Sequence, residues 1–229
     1  MRRRHSNTES VDNYLKAIFS LGGPGENRVT IKALSEHLSV APPSVTNMLQ
    51  KLAAARVPMV RYERHRGVQL SKSGRKRALE IVRHHRLIET FLYRVLDYPL
   101  EELHGEAERL EHFISERFEE RIAAKLGHPT LDPHGHSIPT MDGEIAATES
   151  MPLADIGTAG IFRIHSVSDQ DTRQVRWMES RGITPGARLN VRRILSGTGY
   201  SLSVGRSGKP FVLRRDFAEQ VRLVKLRED

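Results

Sequence analysis

The sequence predicts an α+β chain in three parts: an N-terminal winged helix-turn-helix, a helical middle and a small C-terminal β-barrel. Two observations lead there. Apolar residues recur at helical spacing up to about Leu126 and change period past Pro152. Charge divides the chain at nearly the same places: the net +8 is made of +10 over residues 1–77, −5 over 78–140 and +3 over 141–229.

The elements follow in order. Ser10 is a plausible N-cap, after which Val11, Tyr14, Leu15, Ile18 and Phe19 keep helical spacing until Gly22-Gly23-Pro24-Gly25. Ile31, Leu34 and Leu38 mark a second helix. Pro42-Pro43 opens a third, which carries Val45, Met48, Leu49 and Leu52. Two short helices across a tight turn are a helix-turn-helix, and Met59–Arg64 with Val68–Leu70 around His65-Arg66-Gly67 adds a basic hairpin. Long helical patterns then run from Gly74 to Leu96 and from Glu101 to Leu126, with 128–152 as a Pro-, Gly-, Thr- and His-rich linker. In the tail, Ile161–Val167, Ala187–Ile194, Tyr200–Val204 and Pro210–Leu213 read as strands, with a short helix near Thr172–Ser180.

Composition excludes several chemistries. The chain has no cysteine, so disulfides, thiolate metal sites and cysteine nucleophiles are out. No apolar run approaches the ~18 residues of a membrane span and the N-terminus is polar, so a cytoplasmic protein is expected. H-E-x-x-H, the phosphate-binding G-x-x-x-x-G-K-[ST] and G-x-S-x-G are absent, and His104-Gly105-Glu106 lacks the cysteines of a zinc deaminase; no enzyme is expected. The basic first third points to a polyanion, because cation–phosphate contacts release condensed counterions.

Seven of the eleven histidines lie in the acidic middle: His84, His85, His104, His112, His128, His134 and His136. On a helix from Glu101, residues His104, Glu108, Glu111 and His112 fall within about 100° of arc and share one face. His85 and Glu89 add an i,i+4 pair. Imidazole with carboxylate suits Mn, Fe(II), Co or Zn, and the spread along the axis favours two sites over one. Solvated faces held by i,i+4 ion pairs are the competing reading.

Taken together, these residues resemble the diphtheria-toxin-repressor and manganese-transport-regulator family of metal-dependent repressors. The likeness is carried by Asp12-Asn13-Tyr14-Leu15, His85-Arg86-Leu87-Ile88-Glu89, the segment His104 to His112, and His128-Pro129-Thr130 through Gly135-His136-Ser137-Ile138-Pro139. It implies a winged helix-turn-helix DNA-binding domain (1–75), a helical dimerisation and metal-binding domain (76–145) and an SH3-like domain (152–229). It also implies that Glu108, Glu111 and His112, completed by Asn13 from helix one, form an activating site, and that His85, Glu89 and His104, with Asp171 and Gln174 from the SH3-like domain, form an ancillary one. Manganese-sensing relatives carry Asp at position 13 and a second carboxylate at position 16; here these are Asn13 and Lys16, and Asp12 is an alternative ligand. Glu108, a hard oxygen donor where other members have cysteine, favours Mn(II), with Fe(II) next.

The resemblance further implies a homodimer on double-stranded, palindromic operator DNA, repressing metal-uptake genes. Pro43, Ser44, Thr46, Asn47 and Lys51 would face the groove, with Asn and Thr able to read bases and Lys51, Arg64 and Arg66 holding phosphates. Ligands split between helix one and the middle segment would fix the separation of two recognition helices. Two other functions fit the residues: a winged-helix regulator with a non-metal effector and a structural His/Glu cluster, and a metal-storage or hydrolytic protein.

Overall fold

A computed structural model describes residues 2–23, 27–195, 198–205 and 208–226, with side chains from Thr8 onward. It divides into two compact units. The first is Met1–His84 with Glu111–Ile114 and Pro139–Glu144; the second is His85–Leu110, Ser115–Ile138 and Ile145–Asp229.

In the first unit, helix α1 spans Arg2–Gly22. It passes through Ser10 instead of starting there, because Arg2 to Thr8 holds neither glycine nor proline to stop it. Helix α2 (Ile31–Leu38) starts on Thr30, whose hydroxyl accepts the Ala33 N–H, and ends on Ser39 in the left-handed region. Helix α3 (Pro42–Ala53) opens on prolines, which need no N–H partner there. The hairpin pairs β1 (Val60–Glu63) antiparallel with β2 (Gly67–Leu70). Gly67 has φ +89°, and a Cβ there would lie 2.4 Å from the Val29 carbonyl oxygen. Only glycine lets the hairpin close on the chain at Val29, which bridges to Val68. Leu15, Leu34, Val45, Leu49 and Val68 fill the core beneath. Each fully buried leucine contributes about 2 kcal/mol of transfer free energy.

Helix α4 (Lys72–Leu96) follows, and the Ser71 hydroxyl accepts the Gly74 N–H at its start. The single helix expected over 101–126 is broken. A 3-10 turn at Leu100–Glu102 leads into α5 (Leu103–Leu110), the chain turns at 111–113, and α6 (Glu116–Lys125) restarts on Ser115, whose hydroxyl accepts the Phe118 N–H. A serine able to cap competes with helix continuation. The shared face reckoned at 100° per residue therefore holds for His104 and Glu108 but not through Glu111 and His112.

The second unit ends in a six-stranded antiparallel sheet, ordered β3-β8-β4-β5-β6-β7, consistent with the SH3-like domain expected. Its strands are β3 (Met151–Pro152), β4 (Gly160–Val167), β5 (Arg188–Leu195), β6 (Gly199–Val204), β7 (Phe211–Arg214) and β8 (Val221–Lys225). Helices α7 (Thr172–Glu179) and α8 (Arg215–Ala218) complete it. β3, β8 and α8 were not apparent in the sequence pattern. Phe162, Ile164, Leu189, Leu202 and Leu223 make its core, while Leu87, Ile122, Ala123 and Ile138 make a smaller one among the helices. No described helix is long and apolar enough to cross a membrane.

Candidate metal centres and nucleic-acid interface

The residues expected to meet DNA lie on the first unit. Pro43, Ser44, Asn47 and Lys51 are exposed on α3, and Arg64 and Arg66 are exposed at the hairpin tip. Thr46 is half-buried and donates its hydroxyl to the Pro42 carbonyl at 3.1 Å, so it serves the helix. Arg66 stands 3.5 Å from Glu63, which Arg28 also pairs with.

The first cluster gathers on one face of α1. Asp12 is buried, and Arg77 holds both its oxygens, Nε and Nη2 each donating at 2.8 Å. One turn on, Lys16 Nζ donates to both oxygens of Glu111 at 2.7 and 2.9 Å, and the Glu111 side chain has no solvent exposure. His112 lies between them, Nδ1 3.5 Å from Asp12 and Nε2 3.5 Å from Glu111, and neither ring nitrogen makes a hydrogen bond. Asn13 Oδ1 is likewise buried without a hydrogen bond. Burial pushes the Asp12 carboxyl up, but His112 and Arg77 more than offset it and hold it below the usual range.

The second cluster belongs to the second unit. His85, Glu89, His104 and Asp169 bring one ligand atom each within 4.8 Å of one another, and Glu89 does the same with Asp132 and His134. Glu89 is fully buried on α4; its Oε1 is 3.3 Å from His85 Nε2 and 3.5 Å from His134 Nδ1, and neither of its oxygens accepts a hydrogen bond. Asp169, just after β4, lies 3.6 Å from His104 Nδ1. Burial opposes the charged forms, yet the facing imidazoles keep Glu89 and Asp169 well below the carboxylate range. Against the same burial, Glu89 first and then Asp169 and Asp132 push His134 up to about 9.

The segment read as a linker builds part of this cluster. Asp132 Oδ1 accepts the N–H groups of His134 and His136, both at 2.9 Å, which leaves Oδ2 facing His136 Nδ1 at 3.3 Å and Arg86 at 3.6 Å. Gly135 has φ +88°, and a Cβ on it would lie 2.1 Å from the His165 carbonyl oxygen. With Val167 N–H donating to the His134 carbonyl at 3.0 Å, the loop is pressed onto β4.

Family descriptions match all three parts of the chain. Residues 7–68 match the iron dependent repressor N-terminal DNA binding domain, 71–140 its metal binding and dimerisation domain, and 151–225 the FeoA domain. A solved manganese-dependent transcriptional repressor in complex with manganese superposes with TM-score 0.86 at 34% identity, covering 94% of this chain and all of the other.

The chain belongs to the iron-dependent repressor family.

It is similar to the iron-dependent repressor IdeR of Mycobacterium tuberculosis, at 26% identity over 201 residues, 82% of this chain and 86% of that one. It is also similar to the diphtheria toxin repressor of Corynebacterium diphtheriae, at 25% over 228 residues, 95% and 98% respectively. As a family member it is a metal-dependent, DNA-binding transcriptional repressor that dimerises. In this repressor the donor sets fit a divalent ion unequally. The second cluster offers buried oxygens and imidazole nitrogens without hydrogen bonds: both Glu89 oxygens, Asp132 Oδ2, His104 Nδ1 and His134 Nδ1. The first offers Asn13 Oδ1 and His112, while both its carboxylates are held by cations of the chain.

Two residue positions in the repressor depart from sequence expectation. Asp171 is the N-cap of α7, its Oδ1 accepting from Arg173 and Gln174, so Gln174 meets it through the backbone. Asp169, two residues earlier, is the acid beside His85, Glu89 and His104. Glu108, in the last turn of α5, has its carboxylate 3.7 Å from His104 Nε2. Asp169 and Asp132 were not singled out in the sequence, nor was His134 placed beside them, because their clustering depends on a loop and a strand far apart in sequence; the signal present was the density of histidines at 128–136.

Proposed function

We propose that this repressor binds double-stranded, palindromic operator DNA as a homodimer under the control of Mn(II), with Fe(II) as the next choice, and shuts down metal-uptake genes in the cytoplasm without catalysing a reaction. The observation that carries the metal reading is Glu89: a fully buried carboxylate, unserved by any hydrogen bond, facing two imidazoles. A buried charge of that kind is stable only beside a compensating cation. The ligand set proposed for the second unit is His85, Glu89 and His104 with Asp169. Asp171 and Gln174, given by resemblance, are replaced in this reading because the Asp171 carboxylate caps α7 and meets Gln174 through its backbone N–H. For the activating site the proposal keeps Asn13, Glu108, Glu111 and His112. Oxygen-rich donors without sulfur favour Mn(II) over softer ions.

When bound, the ion supplies a concentrated positive charge that draws carboxylates and imidazoles together. The chain's residues do the rest. Pro43, Ser44, Asn47 and Lys51 present α3 to a major groove, and Arg64 and Arg66 present the hairpin to phosphate; Thr46 supports the helix from within. The domain limits proposed are 1–75, 76–145 and 152–229.

The test is binding of a duplex from the repressor's own promoter region with Mn(II), with Fe(II) under anaerobic conditions, and with a chelator. Tight binding only with metal is expected, with the salt slope reduced by about one when Lys51 becomes Ala. Equal binding with chelator would refute metal control.

A further inference from the structure

The two carboxylates of the first cluster are already neutralised by the chain. Arg77 grips Asp12 through two nitrogens, and Lys16 grips Glu111 through both oxygens at 2.7 and 2.9 Å. Glu111 has no exposed side-chain surface and Lys16 little, 16%, so water screens the pair poorly. Asp12 and Lys16 stand four residues apart on α1 and reach His112 and Glu111, which are adjacent in sequence. An ammonium placed there does what a divalent ion would do: it holds a buried carboxylate of the 111–114 segment against α1.

We propose that Lys16 is a built-in cation for Glu111, which ties α1 to the Glu111–Ile114 segment before any metal is present and weakens divalent-ion uptake at the first cluster. The inference rests on the metal reading given above and deepens it. The ammonium and a divalent ion both need the same two oxygens, and at a separation of about 5 Å they repel strongly even at an effective dielectric near 20. Asn13 strengthens the effect, since its amide oxygen brings no negative charge to recover what Lys16 cancels. This repressor therefore keeps part of its metal-bound geometry when metal is scarce, and its first cluster answers only to higher metal concentration.

The experiment compares the full-length wild type with Lys16→Met and Lys16→Arg, using Mn(II) titration calorimetry and amide hydrogen exchange of α1 in chelator, with circular dichroism as the check on folding. In Lys16→Met, Mn(II) affinity of one component should rise at least about tenfold, because a buried carboxylate is left without its cation. Protection of α1 in chelator should fall and return on adding Mn(II). Lys16→Arg should behave as wild type in both. Unchanged or weaker Mn(II) binding in a folded Lys16→Met, or undiminished α1 protection in chelator, overturns the proposal. A wild type that takes up no Mn(II) would instead defeat the metal reading, and the exchange of α1 in chelator would still decide the role of Lys16.

Discussion

The two clusters use the same residue types and neutralise them differently. In the first unit, each buried carboxylate has a fixed partner: Asp12 has Arg77, and Glu111 has Lys16. In the second, the ion-pair partners of Glu89 among the described residues are the imidazoles of His85 and His134, and Arg86 lies 3.6 Å from Asp132. Guanidinium and ammonium groups are permanent cations near neutral pH, whereas an imidazole can give up its proton and become a ligand. Acidic and histidine-rich surroundings thus do not by themselves define a metal site; what matters is whether the chain has already supplied the countercharge.

The strongest test of this contrast is at Glu89. Glu89→Ala should remove one Mn(II) per chain, seen by elemental analysis of dialysed protein, and cost about 3 kcal/mol of stability by leaving His85 and His134 without their acid. Retention of full metal content would place the ion elsewhere. In the first unit, Arg77→Ala should cost about 2 kcal/mol in chelator, measured by thermal melting, because Asp12 loses a bidentate partner. Mn(II) should recover part of that loss, since an added cation can then serve Asp12. Chelating the wild type should lower amide protection around 130–137 more than in α1; equal changes would erase the distinction between the clusters. The smallest effects separate two neighbouring acids. Asp169→Ala should lower metal content, whereas Asp171→Ala should cost about 1 kcal/mol for the lost cap of α7 and leave metal content unchanged.

Most of the fold was legible because periodicity reports burial, and burial makes helices and strands. Leu15, Leu34, Val45 and Leu49 were picked out by spacing and are core residues. The misses have a common physical source. A helix pattern through 101–126 cannot reveal that Ser115 caps a fresh helix, since Ile114, Phe118 and Ile122 keep a four-residue spacing across the break. Nor can α1's start be read from Ser10, because a serine's small preference against a helix interior does not stop a helix that no glycine or proline breaks upstream. At the clusters, the sequence singled out His85, Glu89 and His104, which the structure does bring together. The resemblance named Asp171 and not Asp169, two residues earlier, because the path of the loop decides which acid caps and which faces the histidines. Lys16 was visible as a departure, but its bond to Glu111 spans 95 positions and only the fold reveals it.

Gly135 has a practical consequence for anyone dissecting this repressor. Its α-carbon lies so close to the His165 carbonyl that the histidine loop takes its shape from a strand thirty residues downstream. Cutting the chain before the sheet, as its tripartite matches invite, would strip that loop of its backing as well as of Asp169. A shortened protein that no longer answered to metal would then say nothing about which part senses it, so point substitutions are the sounder tool here.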